Sequence, residues 1–480
     1  MGDQLTMKAR WARLAPCLVL GIVLLMIPAP EGVEPRGWHV LAVFAATILA
    51  LLLRPFAMST NVLVGIMVLV LTQSLGEGSK ASLETALLGF ANTTVWLVVA
   101  AFLIAGSVIR SGLGRRIALG LVHRLGKSET GLAYGIGAAE LVLAPVIPSN
   151  TARGGGILAP IVDALCRSIG EGRDPADSAR VSRYLVFCGA HFNLITAAMF
   201  LTGMAANPLV AEAAGDVAGI RFGWAQWALG AAVPGLISLL LLPQLVRRVV
   251  RPPQMDVGAA RARAGEELAA MGPKGRNEKI LIAVLIGMVG LWASTPLHGL
   301  HTTVVALSGI AVLLLSGAER WKAMASTWGA WDALIWLGGL VMMADQLRTT
   351  GVIDWFAGGA GDAVSGYAPL AVAIGLALVY FYSMYGFSML TGHITAMVGA
   401  FLAVAVAAGA PPLLMVAMLA YFSNLCGCLT HYSTGPVVIY FGLGYHSVGD
   451  WFRMGFIVSL FHMAVWLGIG LGWWKLLGWW

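Results

Sequence analysis

Along most of this chain apolar residues come in continuous runs, not in the alternation of a half-buried strand or the one-sided stripe of a surface helix. Such runs predict membrane-crossing helices. They fall at Leu14–Pro28, Trp38–Leu53, Asn61–Leu75, Val95–Ile109, Val181–Gly203 and Trp224–Leu245. A second set follows at Ile280–Ser294, Thr303–Ser316, Ala333–Ala344, Leu370–Met384, Ala396–Ala408, Leu413–Leu429 and Phe452–Leu477. Several fall short of the roughly 20 residues that cross a bilayer core, which is the mark of broken or re-entrant pieces. The pattern predicts an all-α integral membrane protein with about eleven transmembrane helices plus re-entrant hairpins.

The only long hydrophilic connection is 247–278, rich in arginine and carrying Pro252-Pro253. It divides the chain into leading membrane helices (1–55), a first repeat (56–246), a cytoplasmic linker and a second repeat (279–480). Laid over each other at an offset of about 240 positions, the halves match in order. Trp96-Leu97 falls on Trp336-Leu337, and Asn193-Leu194, Leu201-Thr202 and Pro208 fall near Asn424-Leu425, Leu429-Thr430 and Pro436. Charge orients them. The first Trp-Leu helix is followed by Arg110, Arg115, Arg116, Arg124 and Lys127, the second by Asp345, Arg348, Asp354 and Asp362. Because cytoplasmic loops are the basic ones, matching ends lie on opposite sides of the membrane, so the repeats are expected to have inverted topology. The N-terminus is then cytoplasmic and the C-terminus periplasmic, with Trp473, Trp474, Trp479 and Trp480 forming an interfacial belt.

Composition agrees: 59% of residues are apolar and 11% charged, far from a soluble domain. The net charge of +7 sits in short connections, as a membrane protein's does, and gives no reason to expect nucleic acid as a partner. Cys17, Cys166, Cys188, Cys426 and Cys428 lie in or beside apolar runs without Cys-x-x-Cys spacing and read as inert buried thiols. The first run follows Lys8, Arg10 and Arg13 but has no clear small-residue cleavage site, so it reads as a retained helix.

Two apolar runs are interrupted by chemistry. Pro148-Ser149-Asn150-Thr151-Ala152-Arg153, with Gly154-Gly155-Gly156 behind it, puts hydroxyls, an amide and a guanidinium where a membrane helix should run. At the repeat offset stands Ser388-Met389-Leu390-Thr391-Gly392-His393-Ile394-Thr395. Irregular backbone survives at membrane depth only where it faces protein, water or a ligand, and two such breaks in inverted halves would meet near the midplane. The polar companions are Asn193, Thr202 and Asn207 in the first half, and Asn424, Thr430, His431, Ser433 and Thr434 in the second. Neutral donors and a guanidinium with little negative charge suit a small anion: a di- or tricarboxylate held at both ends, or a compact divalent anion such as sulfate.

Ile147 to Arg153, Thr391-x-His393, Met204 to Pro208, Asn424 to Gly435 and Gly449 to Arg453 together resemble the divalent anion/sodium symporter family. The similarity is nearest to its citrate/succinate antiporter and plant 2-oxoglutarate/malate translocator branch. That resemblance implies a homodimer in the cell inner membrane, each protomer moving its substrate site like an elevator. It implies substrate contacts from Ser149, Asn150 and Thr151, with Ser149 and Asn150 also near a possible sodium ion. Arg153, Thr202, Thr391, Gly392, His393 and Thr430 complete the expected substrate site. The second break lacks the asparagine of the first, which weakens the expectation of sodium coupling. Arg153, with His393 when protonated, is expected to supply the positive charge that sodium supplies in symporters, favouring dicarboxylate exchange over sodium symport.

Other roles compete for the same residues. Ser149 could cap a helix, Arg153 could pair with Glu140 or Asp163, and the three glycines could serve packing as well as a ligand. No dinucleotide loop, paired metal ligands or haem motif supports an enzyme. The expectation is a carrier without a cofactor, apart from possible sodium.

Overall fold

The computed structural model describes residues 6–171, 174–363 and 366–480, leaving aside the side chains of 360–363, and all regular structure among them is helical. Eight of its helices are long and apolar enough to span a membrane, and Met58–Leu71 and Thr302–Leu315 are apolar but shorter. The first, Met7–Met26, buries only Cys17 and turns Leu18, Val19 and Ile22 outward, as a lipid-facing helix does.

Side-chain caps set several starts. Asn92 accepts from the Thr94 and Val95 N–H groups to open Thr93–Arg110, and Ser128 accepts from Gly131 to open Glu129–Leu143. Ser447 and Asp450 close a reciprocal capping box on Val448–His462, which gives the Gly449-Asp450 motif a structural reason.

One order of elements occurs twice. A hairpin of Glu129–Leu143 with Thr151–Gly170 is followed by a broken helix, Pro175–Met199 and Asn207–Ala218, and a long closing helix, Trp224–Val250. A second hairpin, Pro369–Ser383 with Leu390–Ala407, is followed by Pro412–Leu425, Gly435–Gly442 and a closing helix from Val448 to Leu476. The first turn carries Pro145 and Pro148, neither of which has an N–H to continue the helical hydrogen bonds. The arm that leaves it opens as a wide π-helix over Thr151–Leu158.

The structure adds detail to one sequence expectation and corrects another. The connection 247–278 contains a helix, Gly258–Ala270, docked on Leu113–Leu125. Arg115 pairs with Glu267 at 2.8 Å, Arg116 with Glu278 at 2.6 Å, and Arg261 donates to the His123 carbonyl at 2.9 Å. The C-terminal tryptophans are not all a belt. Trp474 is fully buried against Tyr421 and donates to the Gly230 carbonyl at 2.9 Å, and Trp479 packs beside it. Aromatic rings near a terminus suit either place, and here the closing helix folds back on Trp224–Val250.

Candidate functional site

The two hairpin turns converge on one short segment. Asn150, 6% exposed, donates from Nδ2 to Thr434 Oγ1 at 3.2 Å. The Leu390 N–H, first in the second hairpin's returning arm, donates to the neighbouring Ser433 carbonyl at 2.9 Å. Consecutive residues of the second broken helix therefore hold both turns.

Close packing supports the convergence. A Cβ on Gly435 would stand 2.3 Å from Thr151 Oγ1, and one on Gly154 would stand 2.6 Å from the Asn193 amide nitrogen. One on Gly155 would meet Ile439 Cδ1 at 2.3 Å, whereas Gly156 faces open space. Two of the three glycines thus let the first hairpin lie against both broken helices. Asn193 also donates to the Asn150 carbonyl at 3.2 Å.

The expected site residues divide into facing and bracing groups. Thr151 is exposed and Ser149 and Thr391 are half-buried at the first turns of the returning arms. Ser149 Oγ accepts from the Ala152 N–H at 3.1 Å, so it caps its helix. Gly392 is buried, with Met389 and Leu52 at ordinary contact distance from an added Cβ. Thr430 is fully buried, and its hydroxyl is without a protein partner, as are Asn193 Oδ1 and Asn424 Oδ1. Asn424 and Thr430 lie at the break of the second broken helix, and Asn193 lies within the long arm of the first.

Three residues are committed to the protein. Thr202 donates to the Pro145 carbonyl at 2.7 Å and accepts from Trp224 Nε1 at 3.0 Å, bracing the first turn from behind. Arg153 is fully buried in an ion pair with Glu140, Nε to Oε2 at 2.6 Å. Its Nη1 donates to the Ile147 and Gly203 carbonyls at 2.8 and 3.0 Å, and Nη2 has no partner. Of the two carboxylates open to it, Arg153 takes Glu140, while Asp163 pairs with Arg167. Its charge is therefore balanced locally, which corrects the expectation of a net fixed cation there. His393 is fully buried, with Nε2 within 2.8 Å of Ser383 Oγ and 3.0 Å of the Tyr380 carbonyl. It ties the arms of its own hairpin. Tyr380 and Ser383 were not singled out by their sequence, although Tyr380 lies at the repeat offset from Glu140.

Membrane-crossing helices, paired turns and two broken helices around a shared polar centre define a membrane carrier. The whole length from residue 8 to 480 matches the sodium:sulfate symporter transmembrane region, and the chain belongs to that family. Among relatives, it is 42% identical to a protein of Bacillus subtilis (strain 168) named as a candidate malate transporter, covering 98% of each chain. It is 37% identical to the chloroplastic dicarboxylate transporter 1 of Arabidopsis thaliana, covering 96% of this chain and 82% of that one. To the citrate/succinate antiporter of Escherichia coli (strain K12) it is 34% identical, covering 98% of each. In fold it is similar to the YdaH transporter of Alcanivorax borkumensis, with a TM-score of 0.57 and 15% identity over 88% of this chain and 99% of that one. Family membership makes the chain a transporter and not an enzyme.

Proposed function

We propose that the protein exchanges small di- or tricarboxylates across the cell inner membrane by alternating access, without sodium. The observation that carries this reading is the meeting of the two turns on Ser433 and Thr434. On this reading Ser149, Asn150 and Thr151 share one substrate with Thr391 and Gly392, because Asn150 and the Leu390 N–H bond to adjacent residues. Helix N-termini and neutral donors favour a carboxylate at each side of a small molecule. The malate, dicarboxylate and citrate/succinate transporters among its relatives support the substrate class.

Arg153 supports the absence of sodium in a different way from a bare charge. Its Nη1 binds one carbonyl of the first turn and one of the first broken helix, the kind of oxygens a sodium ion would gather. Glu140 balances it from the opposite edge. At the second turn Leu390 stands where the first has Asn150, so the side-chain oxygen that could hold sodium is missing. We read the protein as an elevator-type homodimer with inverted repeats, its N-terminus cytoplasmic and C-terminus periplasmic, following the charge pattern of the connections and the family resemblance.

Counterflow of labelled succinate, malate and citrate in proteoliposomes, with and without sodium, tests this. Rapid uptake into dicarboxylate-loaded vesicles and little into empty ones is expected in both media. Strict sodium dependence favours the sodium symport reading, and preference for sulfate refutes the substrate class.

A further inference from the structure

The helix Pro35–Leu53 ends against the second turn. Ser388 Oγ donates to the Leu52 carbonyl at 3.1 Å, and Leu52 Cδ2 lies 3.7 Å from the place of a Cβ on Gly392. A helix C-terminus carries partial negative charge, the wrong sign beside a site for a dianion. Two arginines reverse it: Arg13 Nη1 donates to the Leu53 carbonyl at 3.1 Å and Arg54 Nη2 to the Ser388 carbonyl at 2.8 Å.

Four other arginines are differently placed. Arg110, Arg115, Arg116 and Arg153 each sit on a glutamate. Among the described residues neither Arg13 nor Arg54 has a carboxylate partner, and Arg54 Nε is buried with no acceptor at all. The backbone adds a second observation. Arg54 caps its helix at φ 52°, in the left-handed region where glycine is the usual cap. Arg251 caps Trp224–Val250 the same way at φ 53°, so the conformation admits arginine and a glycine in place of Arg54 would keep it.

We infer that Arg54, assisted by Arg13, is a specificity-determining residue for dianionic substrates. It is the unpaired cation at the second turn, drawing the second carboxylate while fixing the Ser388 carbonyl. This rests on the carboxylate reading above. With Arg153 neutralised by Glu140, Arg54 supplies charge that the turns themselves lack.

Counterflow of labelled succinate at low and high ionic strength tests it in Arg54→Gln, Arg54→Lys and Arg54→Gly. The neutral variants should raise KM about tenfold with maximal rate within about twofold, and flatten its salt dependence. Lysine should keep both KM and salt response near wild type, because it retains the charge. Glycine adopts the left-handed cap freely, so Arg54→Gly should melt no lower than wild type, which separates recognition from folding. Wild-type KM in the glutamine and glycine variants, or a lysine variant as weak as glutamine, overturns the inference. Wild-type protein that exchanges none of succinate, malate and citrate overturns the carboxylate reading beneath it instead, and this inference with it.

Discussion

The two hairpins solve one mechanical problem with different chemistry. In each, a residue in the first turn of the returning arm reaches back thirteen positions to the arm before it: Arg153 to Glu140, and His393 to Tyr380. In each, its own N–H donates to the carbonyl four residues earlier, Ser149 or Met389. The arm residue then continues to the following broken helix. Glu140 accepts from Asn193 at 3.0 and 3.2 Å and from Thr196 at 3.3 Å, and the Tyr380 hydroxyl meets Ser423 Oγ at 2.7 Å. The first brace is an ion pair, the second a set of hydrogen bonds with no carboxylate in it. A buried pair punishes the loss of one partner far more than a neutral contact does, because the survivor is a charge out of water. The first hairpin's brace is therefore the costlier to break on one side only.

The largest effect should follow from breaking the charged brace on one side only. Glu140→Ala leaves Arg153 buried and unpaired, at a cost of about 3–5 kcal/mol. Thermal unfolding in detergent should show a large fall, with much of it recovered in Glu140→Ala with Arg153→Ala, since the double variant strands no charge. A single variant as stable as wild type would mean that the ion pair does not fix this hairpin.

The neutral brace should cost less. His393→Ala removes the link to Ser383 and the Tyr380 carbonyl and is expected to lose about 1–3 kcal/mol, with His393→Gln, which can still donate, recovering part. If the alanine variant fell as far as Glu140→Ala, the two hairpins would be mechanically equal and the contrast would fail.

How much of this could be read in the chain follows from what each feature depends on. The breaks at Asn150 and Thr391 were legible because hydroxyls and an amide stand out in apolar runs, and the transporter class followed from them. Tyr380, 240 positions after Glu140, stayed hidden, since a tyrosine in an apolar helix looks like packing until its glutamate counterpart is seen. Arg153 left two carboxylates open, because only the fold puts Glu140 within reach and turns Asp163 toward Arg167. Trp474 was misread for a similar reason: an interfacial ring and a core ring have the same composition. The short first arm, Glu129–Leu143, escaped the list of spans because its length and glycines weaken the pattern. Arg54 had no local signal, since its role comes from a turn 334 residues away.

The smallest effect is the most discriminating. Tyr380→Phe removes only the hydroxyl that meets Ser423, leaving the ring beside His393 and the backbone carbonyl that His393 uses. Ser423 Oγ keeps its bond to the Leu419 carbonyl at 2.6 Å, so no buried donor is stranded. A loss of about 0.5–1.5 kcal/mol is expected in thermal unfolding, with the KM for labelled succinate unchanged. The comparison with Glu140→Ala isolates the link between arm and broken helix, because both positions occupy the same place in their hairpins. A Tyr380→Phe variant that lost several kcal/mol would show the second hairpin to be anchored as firmly as the first, and the asymmetry would then rest on charge alone.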